Sequence, residues 1–99
     1  MGGVKRLLLA SEREALASCN GYVVEASDGR VGAVETPLFP PDRSQPDYLV
    51  LRTDGAVGVR HPVLATALVE EVDSRRRLIR VRGRKEQIEN LPEHLPLAI

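Results

Sequence analysis

Gly21-Tyr22-Val23-Val24-Glu25-Ala26-Ser27-Asp28-Gly29-Arg30-Val31-Gly32-Ala33-Val34-Glu35 is the stretch on which the fold turns. Tyr22 to Ala26 is rich in β-formers and runs into Ser27-Asp28-Gly29-Arg30; Asp-Gly between β-forming segments is a strong local signal for a hairpin. The return strand is expected over Arg30 to Thr36. Its apolar residues Val31 and Val34 stand three apart, a spacing that a regular period-two strand cannot place on one face. Gly32 between them marks a bulge or a sharp bend, the device that curls a sheet toward closure. Asp28, Gly29 and Gly32 are therefore read as structural turn residues, and Pro37 as the end of the strand.

Downstream, Leu38 to Pro46 carries Pro40, Pro41 and Pro46 and reads as a stiff loop. Leu38 and Phe39 in it form a candidate protein-contact loop, because an exposed Phe beside prolines suits such a contact. Asp47 to Arg52 is a nearly continuous apolar strand, expected to be central. Thr53-Asp54-Gly55 is expected to turn it into a short strand over Ala56 to Val59, with His61-Pro62-Val63 as an extended entry to the next segment. Leu68 to Asp73 and Leu78 to Arg82 form a last hairpin. If Val72 faces Ile79, Glu71 stands opposite Arg80, and Glu70 falls beside Val81 pointing inward. Arg84 to Asn90 reads as a short helix with Ile88 and Leu91 on one side, stopped by Pro92.

Upstream, Ser11-Glu12-Arg13-Glu14 has the form of a capping box, a hydroxyl followed three residues later by Glu. A helical turn or two is expected there, ending near Asn20-Gly21. About six short strands with terminal helical turns define a mainly β protein, a small closed or partly open antiparallel barrel, since closure removes exposed strand edges. Residues 1–99 are read as one domain: an N-terminal extension over 1–18, the barrel core over 19–92 and a tail over 93–99.

Composition narrows the functional classes. Fourteen Lys and Arg balance fourteen Asp and Glu, so the overall field steers neither nucleic acid nor membrane strongly. Only three aromatics are present, which makes the core aliphatic and weakens any base-stacking role. No apolar run approaches the roughly 18–20 residues of a bilayer span. These features point to a soluble, cytoplasmic protein without a membrane span. Cys19 stands alone, so no disulfide framework is expected. Cys19, His61 and His94 have neither the close spacing of a metal site nor the context of a catalytic triad. No catalytic residue, metal or cofactor is assigned, and the chain is not read as an enzyme.

One charge feature is prominent. Arg75, Arg76, Arg77, Arg80, Arg82, Arg84 and Lys85 place seven cations in eleven residues. Arg76, Arg80, Arg82 and Arg84 form a candidate surface for anions or an acidic partner, because guanidinium binds carboxylate and phosphate in a fork. Pairing with Glu71 and neighbouring acids is the alternative use of the same residues.

The order of these motifs resembles the PRC-barrel domain. Gly21-Tyr22-Val23-Val24, Asp28-Gly29-Arg30-Val31-Gly32-Ala33-Val34-Glu35, the strand Tyr48-Leu49-Val50-Leu51, His61-Pro62-Val63 and Ala67-Leu68-Val69-Glu70-Glu71-Val72-Asp73 succeed one another as in that family. Arg84 to Pro92 is similar to its closing helical turn. The resemblance covers about residues 19–92. It implies a small β-barrel acting as a non-catalytic docking module, here a stand-alone member with a protein partner not specified by the residues. Self-association is expected separately, because a small near-neutral barrel with a thin aliphatic core gains by burying leftover apolar surface. Some relatives belong to a photosynthetic reaction centre and others to a ribosome-maturation factor, so an RNA or ribosome-assembly role using the Arg-rich face is the alternative. The resemblance carries over no catalytic residue.

Overall fold

The computed structural model describes residues 8–55 and 58–94. Helix α1 (Ala10–Ala15) and a 3₁₀ turn (Leu16–Ser18) precede β1 (Val23–Ala26), β2 (Gly29–Leu38), β3 (Tyr48–Gly55), β4 (Gly58–Arg60) and β5 (Val63–Ala65). A second 3₁₀ turn (Thr66–Leu68) leads into β6 (Val69–Asp73), β7 (Leu78–Val81) and helix α2 (Lys85–Glu89). The strands form one sheet in the order β4-β3-β2-β1-β7-β6, with β5 also paired to β3. The fold is thus mainly β, a curled sheet whose β6 and β4–β5 ends do not pair with each other: a partly open barrel.

Two expectations of the architecture need correction. The sheet is mixed, because β1 and β7 run parallel, with Val23 beside Leu78 and Glu25 beside Arg80. The final hairpin comes back to the free side of the first strand and enters it in the same direction. Among the described residues the strands number seven, because Val63–Ala65 is itself a strand, pairing antiparallel to Tyr48–Val50.

The bend at Gly32 is present. Val24 pairs with Gly32 and Glu25 with Arg30, so Val31 is the extra residue of a bulge. Val31 and Val34 consequently both enter the core, at 7% and 3% exposure. A Cβ on Gly32 would overlap the carbonyl oxygen of Arg52 and stand 3.1 Å from Thr53 Cγ2. Glycine is needed here because the β3 backbone approaches so closely. The Ser27–Asp28 turn is followed by Gly29 at φ 131°, a backbone conformation that glycine alone adopts at little steric cost.

Other boundaries differ from expectation. Pro37 does not end β2; it pairs with Leu49 inside the strand. β1 accompanies β2 only from Gly29 to Ala33, so at Pro37 no β1 residue awaits the missing N–H. Thr53, Asp54 and Gly55 remain in β3, paired with Arg60, Val59 and Gly58. The expected strand start at Ala56 and Val57 lies outside the described residues. Glu70 does not point inward. Val69 pairs with Val81 and Glu71 with Arg80, leaving Glu70 as the bulged residue, and it is exposed.

The core is aliphatic: Val24, Leu49, Leu51, Leu64 and Ile79 are fully buried, with Val81 and Ile88 at 2%. Ser11 does not cap α1. The N-cap is Leu9, and its N–H donates to Glu12 Oε1 at 2.8 Å. Glu12 is 6% exposed, and its Oε2 accepts the N–H of Val72 in β6 at 3.0 Å. A helix of six residues is not stable alone; this carboxylate and the buried Leu16 fix it against the sheet.

Candidate functional site

The outward face of the central strands carries an ordered charge pattern. Its first row crosses four strands as Glu71 (β6), Arg80 (β7), Glu25 (β1) and Arg30 (β2), each residue beside the next in the register. Arg80 is held from both sides, with Nε 3.6 Å from Glu25 Oε1 and Nη1 3.2 Å from Glu71 Oε1. The next row runs Asp73, Leu78, Val23, Ala33 and Arg52 across β6, β7, β1, β2 and β3. Leu78, Val23 and Ala33 are half-buried, so an apolar strip lies between an acidic and a basic end.

The Arg-rich segment is dispersed by this geometry. Arg76 lies in the β6–β7 loop, where its Nε is 3.8 Å from Asp73 Oδ2. Asp73 Oδ1 accepts the N–H groups of Arg75 and Arg76, both at 3.1 Å, which shapes the loop as an Asx turn. Arg77 adopts φ 55° and places its guanidinium 5.7 Å from the centre of the Tyr22 ring, within cation–π range. Arg82 lies just beyond β7, and Arg84 is the N-cap of α2. Both are exposed, and no ion pair engages either among the described residues. Arg80 and Arg76 are thus paired with acids; Arg84 lies near enough to Asp28 to favour its carboxylate, and Arg82 has no ion pair among the described residues.

Sequence reasoning missed a second basic feature. A hollow of about 380 Å³ is lined by Arg30, Val31, Gly32, Ala33, Arg52 and Asp54. Gly32 and Ala33 offer almost no side chain, so the floor is low between the two exposed guanidinium stems. Neither Arg30 nor Arg52 has an ion-pair partner among the described residues. The signal in the sequence was only half visible. Arg30 could be placed on a strand, but its proximity to Arg52 depends on β2–β3 pairing across a long loop.

The turn residues have a positional role. Asp28 Oδ1 accepts the Lys85 N–H at 2.7 Å, and the Ser27 N–H donates to the Gly83 carbonyl at 2.8 Å, which ties the first hairpin to the start of α2. The hydrogen bond from the Lys85 backbone, helped by the nearby charges of Lys85 and Arg84, holds the Asp28 carboxyl below its ordinary value.

Leu38 and Phe39 lie where β2 ends. Leu38 pairs with Tyr48, and Phe39 and Tyr48 are 45% and 48% exposed. Tyr48 was not singled out from the sequence, although its place at the head of an apolar strand made it a neighbour of the loop. In the apolar run Leu7-Leu8-Leu9, Leu7 lies outside the described residues. Leu8 packs partly on the core, whereas Leu9 is exposed.

The remaining chemistry is sparse. Cys19 is buried and its Sγ–H donates to the Leu16 carbonyl at 3.3 Å. Burial pushes its thiol up to about 11, which disfavours the nucleophilic thiolate. His61 Nδ1 stands 3.2 Å from Glu35 Oε2, and His94 is exposed. Among the described residues no three His, Cys, Asp or Glu are grouped to hold a metal, and no helix is long and apolar enough to cross a membrane. No protein-family model matches the chain, and no curated protein matches its sequence.

Proposed function

We propose that the protein is a non-catalytic docking module of the PRC-barrel kind, self-associating and acting in the cytoplasm. The observation that carries this reading is the pair of large side chains, Phe39 and Tyr48, left open to solvent beside Leu38 where β2 ends and β3 begins. Aromatic anchors on a stiff scaffold are a common way to concentrate binding energy in a few residues. The partly open barrel and the order of the sequence motifs support the family assignment. Replacing Phe39 and Tyr48 together by Glu is expected to leave the melting temperature within a few degrees. It should also remove the partner from complexes isolated from the native cell and weighed intact. Complexes of unchanged mass would reject the patch as the docking surface.

A second reading, an RNA or ribosome-assembly contact, is favoured by Arg82 and Arg84, both exposed and neither held in an ion pair among the described residues. It predicts RNA affinity that falls steeply with salt, and loss of that slope in Arg82→Glu/Arg84→Glu. Affinity unchanged by this variant would dismiss it.

A further inference from the structure

The two rows on the outer face have a symmetry consequence. Glu71, Arg80, Glu25 and Arg30 alternate in sign over an even number of strands, so the row read backwards is its own charge complement. If a second copy is turned over about an axis running along the strands between β7 and β1, β6 of one copy lies over β2 of the other, and β7 over β1. Every charge of the row then meets its opposite: Arg30 faces Glu71 of the second copy, and Glu25 faces its Arg80. In the neighbouring row, Leu78 meets Val23, apolar against apolar, and Asp73 arrives over Ala33 beside Arg52.

The hollow fits the same arrangement. Its Arg30 and Arg52 have no acidic partner within the chain among the described residues, and its floor is cut down to Gly32 and Ala33. Asp54 on its rim is a single acid against two guanidiniums. The acids that would enter, Glu71 and Asp73, keep 45% and 34% of their side chains exposed. Each carboxylate has lone pairs beyond those it uses at home. We propose that this face is where two copies of the chain meet, each placing Glu71 and Asp73 of its β6 into the other's Arg30–Arg52 hollow. An isologous contact of this kind needs one self-complementary patch and closes at two subunits. Four strands at about 4.8 Å spacing, crossed by two rows roughly 7 Å apart along the strands, make a patch of roughly 15–20 Å by 10–15 Å, a few hundred Å² at most and well short of the roughly 800 Å² per partner of a standard interface. The dimer is therefore weak, concentration-dependent and sensitive to salt.

This inference rests on the self-association reading above, and one experiment separates their failures. Sedimentation equilibrium and native mass measurement compare the full chain with Arg30→Glu, with Glu71→Arg, and with an equimolar mixture of these two variants. Thermal melts check that each variant is folded. The single variants oppose like charges twice across the two-fold axis, and each should lose at least tenfold in association constant. Their mixture restores both contacts and should form the heterodimer. Single variants that dimerise like the parent, or a mixture that stays monomeric, would overturn the proposed face while leaving self-association through another surface standing. A parent chain that is monomeric at every concentration would overturn both.

Discussion

The two edges of the sheet are closed by opposite means. At β6 a single buried carboxylate is responsible: Glu12 accepts a half-buried N–H from its own helix start and a buried one from Val72. At β5 the closing segment uses the main chain. The Val63 N–H donates to the Pro92 carbonyl at 2.9 Å, and the His94 N–H to the His61 carbonyl at 2.8 Å. Glu93 adds an exposed bond by accepting the His61 N–H at 3.1 Å. Both devices deny the edge to a foreign strand, but they differ in what replaces them when they break. Water can take the place of an exposed hydrogen bond at little cost, whereas a buried N–H left without its acceptor carries the full desolvation penalty.

The largest effect comes from the feature that curls the sheet and sets both edges in reach of their closing segments. Gly32→Ala forces a Cβ against the Arg52 carbonyl and is expected to cost about 3 kcal/mol, in the upper range for overpacking, measured by urea denaturation. Glu12→Ala should come next at about 2–3 kcal/mol, because it orphans two backbone donors. The native Cys19 thiol, held near 11 and buried, should resist alkylation at pH 8. In Glu12→Ala, looser docking of the helix should raise that labelling rate measurably. Glu93→Ala, the matching change at the opposite edge, should cost only about 0.5 kcal/mol, since its bond is exposed. Equal losses at Glu12 and Glu93 would abolish the contrast between the edges.

The smallest effect is a pH dependence at the hairpin tip. The Asp28 carboxyl lies below its ordinary value in the folded protein, so the folded state binds fewer protons there than the unfolded one. Its contribution is present above the ordinary carboxyl range and fades as the pH falls through the lowered value. Melting temperatures recorded from pH 5 down to pH 2 should therefore fall less steeply for Asp28→Asn than for the parent.

Much of the sheet could be read from local spacing. Val31 and Val34 with Gly32 between them demanded a bulge, and the bulge is there. The register that set Val72 opposite Ile79 and Glu71 opposite Arg80 holds as well. Local spacing failed wherever a distant partner decided the outcome. Glu70 escapes the interior through a bulge that no pattern of the hairpin announced, and Pro37 stays in its strand because β1 has already ended beside it. Glu12 looked like one more charge on a short helix. Only its N3 position relative to Leu9 hinted at a role, and nothing nearby in the chain pointed to Val72. The Arg-rich segment was legible as a sequence feature, yet acids from β1 and β6 claim Arg80. The hollow at Arg30 and Arg52 needed the β2–β3 pairing to exist at all.

Glu12 and Val72 are 60 positions apart, and that interval is also a delay. At about 5–20 residues per second, the nascent chain is extended for roughly 3–12 s between the two. Throughout that time the first helix lacks its anchor on β6 and is too short to persist by itself. Helix α1 is therefore among the last described elements to settle. A helper or protease that meets the emerging chain encounters this short helical segment before its β6 partner exists, even while the middle hairpins are already closing.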